Sequence, residues 1–485
     1  MANSLSFQET NKKTETNMKR IRIMAAGLLM AGVCGAINAQ SGIEKAGGEA
    51  AAIESGDAES AGLDKSAESS ELTAADGGQA SLDKQYVEAH KVEIRSGTFS
   101  STVEALPECL ELLNKGANIS VAITDKSPDL AALSSCLDGY NTTLDLSACT
   151  GLKEIPAKAF YLKSNIKAVV LPASIEKIGE KSFSRTSIEE IEIPSATKEI
   201  GDFAFAGTKI REANIPSGVT SYGVGAFAEN GSLRAVNADA SSSILKSEDG
   251  VLFTRDGLTL VAYPAGKEGD SYEIPASVIS IGTEAFAYNG KIKSVKLPST
   301  LVRICGYAFK GCSSISEIEL PATLVSIGQD AFDGTSLKSL TIPKATVALG
   351  KNPFNSCSSL SEINVEDGNL VYKSEDGVLY SNGGNLVRFP CAKEAGDFAV
   401  PQDIAEIEPY AFENVKSLTS VTLAGGTRII DKYAFKNCSS LKRLESAESL
   451  VKIGRQAFYG CPVENLPDYY VGTVDSYVPN AVDAK

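Results

Sequence analysis

A phenylalanine that returns every 22 or 23 residues constrains this chain more than any other feature. The series runs Phe160, Phe183, Phe205, Phe227, Phe286, Phe309, Phe332, Phe354, Phe412, Phe435 and Phe458, with steps of 23, 22, 22, 59, 23, 23, 22, 58, 23 and 23. A period in this range marks a solenoid, in which each unit rests on its neighbours, rather than a compact domain. The two long steps recur regularly as well. Phe286, Phe309 and Phe332 map onto Phe412, Phe435 and Phe458 by one shift of 126, so a larger block is duplicated.

The unit around Glu319 to Leu340 shows what each coil contains. Ile315, Ile318 and Leu320 are apolar while Glu317 and Glu319 alternate with them, the pattern of a short strand with one buried face. Pro321 ends it, as prolines do after the same strand at Leu171-Pro172, Ile193-Pro194, Ile215-Pro216, Leu297-Pro298 and Ile342-Pro343. Leu324, Ile327 and Phe332 turn inward, and Gly328 is read as a bend. One coil buries too few side chains to offset the entropy of ordering its backbone, so the coils are stable only when stacked. Strands about 4.8 Å apart would carry eleven coils over roughly 50 Å, which predicts an elongated particle.

Three residues beyond each anchor stands a second column: Thr186, Thr208, Asn230, Asn289, Cys312, Thr335, Cys357, Cys438 and Cys461, with Lys163 and Val415 departing from it. Small groups able to hydrogen-bond to backbone suit an inside corner. Four of the ten cysteines fall in this column, so buried thiols are expected, with one bridge among Cys109, Cys136 and Cys149. There is no Cys-x-x-Cys pair, and no metal site is expected.

The remaining segments have different compositions. Met18, Lys19, Arg20 and Arg22 precede an apolar run from Ile23 to Ile37 and a small-residue site at Ile37-Asn38-Ala39, so residues 1–39 read as upstream residues and an export signal. The run is shorter than the roughly 20 residues of a spanning helix. Cys34 raises a lipid-anchored alternative, which Val33 immediately before it disfavours. Residues 40–85, rich in Ala, Ser, Gly and Glu, read as a disordered linker. Residues 86–141 read as a small α/β N-terminal cap: Leu106, Leu110 and Leu113 at helical spacing, Ile119, Val121 and Ile123 alternating, then Leu130, Leu133 and Leu137. The solenoid is placed at 142–462 and a C-terminal tail or cap at 463–485.

The net charge of -15 disfavours nucleic acid and anionic membranes as partners. Catalysis finds little support. His90 is the only histidine, and the paired carboxylates recur with the period instead of marking one cleft, which argues against a glycosidase. No cofactor is expected.

The string IPxxxxxIGxxAFxxCxxLxxIxLP, nearly whole in LPSTLVRICGYAFKGCSSISEIELP from Leu297 to Pro321, resembles BspA-type leucine-rich repeats over about 320 of the 485 residues. Departures are local: Cys305 for glycine, Pro353 for alanine, and Leu423-Ala424 without the proline. The resemblance implies a leucine-rich-repeat solenoid with a parallel β-strand on one face and mostly turns, irregular stretches or short helical segments elsewhere. It also implies an exported, cell-surface or secreted protein of a host-associated bacterium, binding proteins that include host matrix and plasma proteins. An envelope scaffold without host binding is the alternative.

Two places are candidates for partner contact. The outward strand columns hold Glu190, Glu192, Glu212, Asn214, Glu317, Glu319, Ser339, Thr341, Glu362 and Asn364, a polar strip without aromatic anchors. The inserts near 238–265 and 365–391 are homologous copies, ILKSEDGVLFTRDGLTLVAYP and LVYKSEDGVLYSNGGNLVRFP. Asp249-Gly250, Asp256-Gly257, Asp376-Gly377 and Asn382-Gly383 predict hairpin turns, giving a small meander that projects from the stack. Phe253, Arg255, Tyr263, Tyr380 and Arg388 are its candidate contact residues; packing onto neighbouring coils is the plainer reading. Calcium at Glu248-Asp249 and Glu375-Asp376 is disfavoured, since two adjacent carboxylates supply too few oxygens.

Overall fold

The computed structural model describes residues 96–110, 115–445, 448–468, 470 and 472–477. The export signal, the linker, His90 and residues 86–95 lie outside the described residues. Among the described residues no helix is long and apolar enough to cross a membrane.

The chain is a leucine-rich-repeat β-solenoid. Two parallel ladders run along the stack, one more than the sequence suggested. The expected strand before the proline pairs in register at Glu212–Ile215 with Ala235–Ala238 and at Ser339–Ile342 with Glu362–Val365. A second ladder forms from two-residue strands before the recurrent glycine, or before Cys305 in its place, such as Arg303–Ile304, Ser326–Ile327 and Ala348–Leu349. Ile304 and Ile327 are buried there, so each short strand supplies a core side chain as well as backbone hydrogen bonds.

The glycine serves a different purpose from the bend read in the sequence. Its backbone is not left-handed; instead the preceding coil lies against it. A Cβ at Gly201 would sit 2.6 Å from the backbone nitrogen of Glu180, and one at Gly179 would sit 2.6 Å from that of Ala157. The turn is made around the phenylalanine, by left-handed residues two before and two after it. Around Phe332 these are Asp330 (φ 47°) and Gly334 (φ 71°); around Phe435 they are Tyr433 (φ 59°) and Asn437 (φ 61°). This geometry aims backbone groups at the next coil: Phe309 N–H donates to Ala331 O at 2.8 Å and Phe332 N–H to Pro353 O at 2.9 Å.

The second column closes the same corner. Thr186, Thr208 and Thr335 donate to the phenylalanine carbonyl of their own coil at 2.8 to 3.0 Å. Cysteine reaches back one coil instead, Cys312 to Phe286 O and Cys357 to Phe332 O at 3.1 Å, and Cys438 to Phe412 O at 3.0 Å. Cys136 and Cys149 are free thiols, so the bridge expected among Cys109, Cys136 and Cys149 does not form. Burial pushes the Cys312 and Cys357 thiols up to about 12.

Phenylalanine rings stack up the middle, but in three separate piles. The first runs Phe160, Phe183, Phe205, Phe227, with centroids 5.0 to 5.4 Å apart. The second starts at Tyr263 and continues through Phe286, Phe309, Phe332 and Phe354; the third starts at Phe389 and continues through Phe412, Phe435 and Phe458.

The inserts cause these divisions. Each is the expected antiparallel meander, Leu245–Glu248, Val251–Thr254 and Thr259–Ala262 in the first, Tyr372–Glu375, Val378–Ser381 and Asn385–Arg388 in the second. Asp249 (φ 49°) and Gly250 (φ 73°) form the two-residue turn that positive φ at both positions requires. The meander does not project, however. Its last strand joins the two-residue ladder, Thr259–Leu260 pairing in parallel with Ser280–Ile281 and Asn385–Leu386 with Glu406–Ile407. Its middle strand is buried on both faces. Leu252 packs into the core before it while Val251 and Phe253 pack into the core after it, and Leu379 is divided in the same way from Val378 and Tyr380.

At the N-terminal end, Ser96–Ser101, Asn118–Ile123 and Asn141–Asp145 pair in parallel with offsets of 22 and 23 residues, so this region already keeps the pitch of the solenoid. Short helices Leu106–Leu110 and Leu130–Cys136 lie between them. At the other end Ser476–Tyr477 pairs antiparallel with Lys452–Ile453, and Tyr470 packs edge-on against Phe458.

Candidate protein-binding face and block junctions

The alternation of the strand decides which side chains face outward. Glu190, Glu192, Glu212, Asn214, Glu317, Glu319, Ser339, Thr341 and Glu362 are exposed, and Asn364 is half-buried. The structure gathers four of them. Glu190, Glu192, Glu212 and Asn214 line one open depression with Ala168, Val170, Leu171 and Arg211, and Glu192 and Asn214 border a second with Asn237 and Asp239. The depression exists because the strand ladder parts at Ile188–Ile193, where Lys209 N–H still donates to Ile188 O at 2.9 Å but the residues beyond Glu189 leave the regular pairing. The same coil of the duplicate block parts at Ile315–Leu320, placing Glu317 and Glu319.

Partners on this face are few. Asn237 Nδ2 donates to Glu212 Oε1 at 2.7 Å and to Asn214 Oδ1 at 3.1 Å, and Arg211 pairs with Glu189 at 2.6 Å. Among the described residues, Glu190, Glu192, Glu317 and Glu319 have no ion pair or side-chain hydrogen bond. The face is therefore a solvated acidic strip beside small exposed apolar groups, of which Val170 is 48% exposed.

The insert residues are placed differently from the strip. Phe253, Tyr263, Tyr380 and Arg388 are all 5% exposed or less, so they pack the meanders into the stack and offer no contact surface. Arg255 alone of that set is exposed, its guanidinium donating to Ala240 O at 3.2 Å. Asp249 and Asp376, from the pairs at which calcium is disfavoured, each meet a lysine, Lys267 at 2.9 Å and Lys393 at 3.0 Å. No group of three or more metal-ligating side chains occurs among the described residues.

Sequence reasoning missed a polar cluster where the second insert meets the third ring pile. The Arg388 guanidinium donates to Tyr410 O at 2.6 Å, Asn352 Oδ1 at 3.2 Å and Glu413 O at 3.4 Å. Asn352 Nδ2 donates to Glu413 Oε2 at 3.0 Å, and Lys436 pairs with the other oxygen of Glu413 at 2.9 Å. The signal was available in the two aligned inserts, where Ala262 stands at the position of Arg388.

Residues 151–265, 279–394 and 405–468 match the family model described as BspA type Leucine rich repeat region. The fold is similar to a leucine-rich repeat protein from Eubacterium ventriosum, at 21% identity and a TM-score of 0.46, covering 78% of this chain and 93% of that one. It is similar also to the pneumococcal vaccine antigen PcpA, at 20% identity and a TM-score of 0.48 over 72% and 79%. A leucine-rich repeat protein from Bacteroides ovatus is 26% identical, with a TM-score of 0.38 over 70% and 80%. No curated protein matches the chain.

Proposed function

The chain belongs to the BspA type leucine-rich-repeat family, and from that premise we propose that it is displayed outside the cell, where it attaches a host-associated bacterium to host proteins. It is a noncatalytic solenoid for protein–protein interaction. The observation that carries the proposal is the depression holding Glu190, Glu192, Glu212 and Asn214. Its two free carboxylates beside exposed apolar groups suit a partner segment with basic side chains, attracted by charge and seated by apolar contact. The export-type segment at residues 1–39 supports display.

The test is binding of the purified chain to immobilised matrix and plasma proteins, compared with a Glu190→Lys, Glu192→Lys, Glu212→Lys variant. Binding that weakens at least tenfold in the variant and falls with salt supports the reading. Binding indifferent to the triple variant moves the site elsewhere, and no binding to any host protein favours an envelope scaffold. Protease treatment of intact producing cells separates those two locations, since a scaffold inside the envelope is protected.

A further inference from the structure

Three residues beyond the phenylalanines, cysteines stand in adjacent coils at one place only, Cys438 and Cys461. Cys312 and Cys357 are separated by Thr335, and Val415 precedes Cys438. The pair lies at the end of the stack, since Phe458 is the last of the recurring phenylalanines. Both are free thiols in the structure, Cys438 buried and Cys461 half-buried.

One backbone oxygen fixes where the two residues lie. Phe435 O accepts the backbone N–H of Cys438 at 3.2 Å and the thiol of Cys461 at 2.7 Å. At an equivalent point in the stack, Phe332 O is shared by Thr335 and Cys357, whose side chains meet at 3.3 Å. The coils around Cys438 and Cys461 are equally close. Asn437 N–H donates to Tyr459 O at 2.7 Å and Glu464 N–H to Lys442 O at 3.0 Å, while the rings of Phe435 and Phe458 stack 5.1 Å apart and within 2° of parallel. Coils laddered in this way are about 4.8 Å apart, inside the roughly 4.4 to 6.8 Å between Cα atoms that a disulfide spans. The two thiols hydrogen-bond one another. That bond is the main cause holding Cys461 below the usual thiol value, against its burial. Burial first, then the same contact, pushes Cys438 up.

We propose that Cys438 and Cys461 form a thiol–disulfide redox site that clasps the last coil to the one before it. The oxidant is a low-molecular-weight disulfide such as glutathione disulfide. Cys461, the more accessible of the two, gives its proton to solvent and attacks one sulfur of that disulfide as the thiolate. An S–S bond forms to Cys461, and the first small thiolate leaves and takes up a proton. Cys438 then loses its proton to solvent and attacks the Cys461 sulfur, expelling the second small thiolate, which is protonated in turn. Two protein S–H bonds are broken and one protein S–S bond is made, while the small disulfide is reduced to two thiols. The placement assigns the order: the half-exposed member meets the oxidant, and the buried member resolves the mixed disulfide. An end coil is packed on fewer sides than an inner one and opens first, which is where a covalent link has most effect.

The experiment takes the purified full chain, reduced and then exposed to glutathione disulfide at mildly alkaline pH without denaturant, blocks the remaining thiols with iodoacetamide and maps the peptides by mass. The expected product links the peptides carrying Cys438 and Cys461, while Cys312 and Cys357 remain thiols. Cys438→Thr should stop at a glutathione adduct on Cys461, and Cys461→Thr should give neither adduct nor bridge at Cys438. Threonine occupies this column at Thr186, Thr208 and Thr335, so both variants should keep the fold. Amide hydrogen exchange in residues 455–465 should slow by roughly tenfold on oxidation and recover with dithiothreitol. The proposal is overturned if the folded chain keeps both thiols, if the parent stops at the adduct, if Cys461 pairs with another cysteine such as Cys391, or if the bridge forms and exchange is unchanged.

Discussion

The thiol of Cys357 lies 3.1 Å from the carbonyl oxygen of Phe332, one coil earlier, and 3.3 Å from the hydroxyl of Thr335. Thr335 itself donates to that same carbonyl at 2.9 Å. A cysteine and a threonine from successive coils thus serve one backbone oxygen, which explains why these residue types interchange in the column.

Cys357→Thr is therefore expected to be nearly neutral, whereas Cys357→Ala should cost about 1 kcal/mol through the lost hydrogen bond. Denaturant midpoints distinguish the two. The same burial predicts chemistry: with thiols raised to about 12, Cys312 and Cys357 should resist a disulfide reagent at pH 8 until the chain unfolds, on the timescale of unfolding. Rapid modification of both in the native protein would contradict the placement.

Gly201→Ala offers a sharper test of the coil spacing. Replacing a glycine in an ordinary backbone region by alanine normally stabilises by about 0.4 to 1 kcal/mol through the unfolded state. Here the added Cβ meets the backbone of Glu180 at 2.6 Å, so the coils must separate. A loss of about 1 to 3 kcal/mol is expected, the range of overpacking. A stabilised variant would mean the coils are less closely apposed than described.

Arg388→Ala should be among the more damaging single changes. It strips partners from Asn352 and from two backbone carbonyls while Glu413, with its side chain 5% exposed, keeps only Asn352 and Lys436. Removing one member of a buried charged cluster costs about 3 to 5 kcal/mol. Arg388→Met, which retains volume, should cost clearly less, and equilibrium unfolding of the two variants gives the difference.

Glu284, in the coil after the first insert, should report pH. Glu284 has an ordinary value of 4.5 and is raised to about 7 in the folded chain. A raised acid means the folded state binds more protons than the unfolded one between these values, so stability declines as pH rises through that window and the loss is complete above it. The full effect is roughly 3 kcal/mol. Subtracting the profile of Glu284→Gln from that of the parent should leave this slope. A flat difference would remove the assignment.

Much of the fold was legible because the same small set of residues recurs with the period. Phe332 and its counterparts fixed the coil length, and Pro321 and its counterparts fixed where strands end. Leu106, Ile119, Val121 and Leu133 placed the helices and strand of the N-terminal region by their spacing. The inserts pack onto neighbouring coils, the plainer of the two readings, but they do not project, and the sequence carried a signal for this: Val251-Leu252-Phe253 is an unbroken apolar run, which suits a strand buried on both faces rather than a projecting hairpin. The two-residue ladder was invisible for a different reason. Ser326–Ile327 is too short for any alternation to register, and only the neighbouring coils make it a strand. Of the candidate contact residues, exposure on the strip followed from simple alternation, while Tyr263 and Arg388 looked available only because their partners lie far along the chain.

The middle strand of each meander acts as a bulkhead. Because Val251-Leu252-Phe253 and Val378-Leu379-Tyr380 belong to the cores on either side of them, the interior is divided into three compartments, each with its own ring pile. A defect that melts one compartment meets a sealed wall before it reaches the next. Pulled from its two ends, such a chain would give way one compartment at a time and keep part of its length folded.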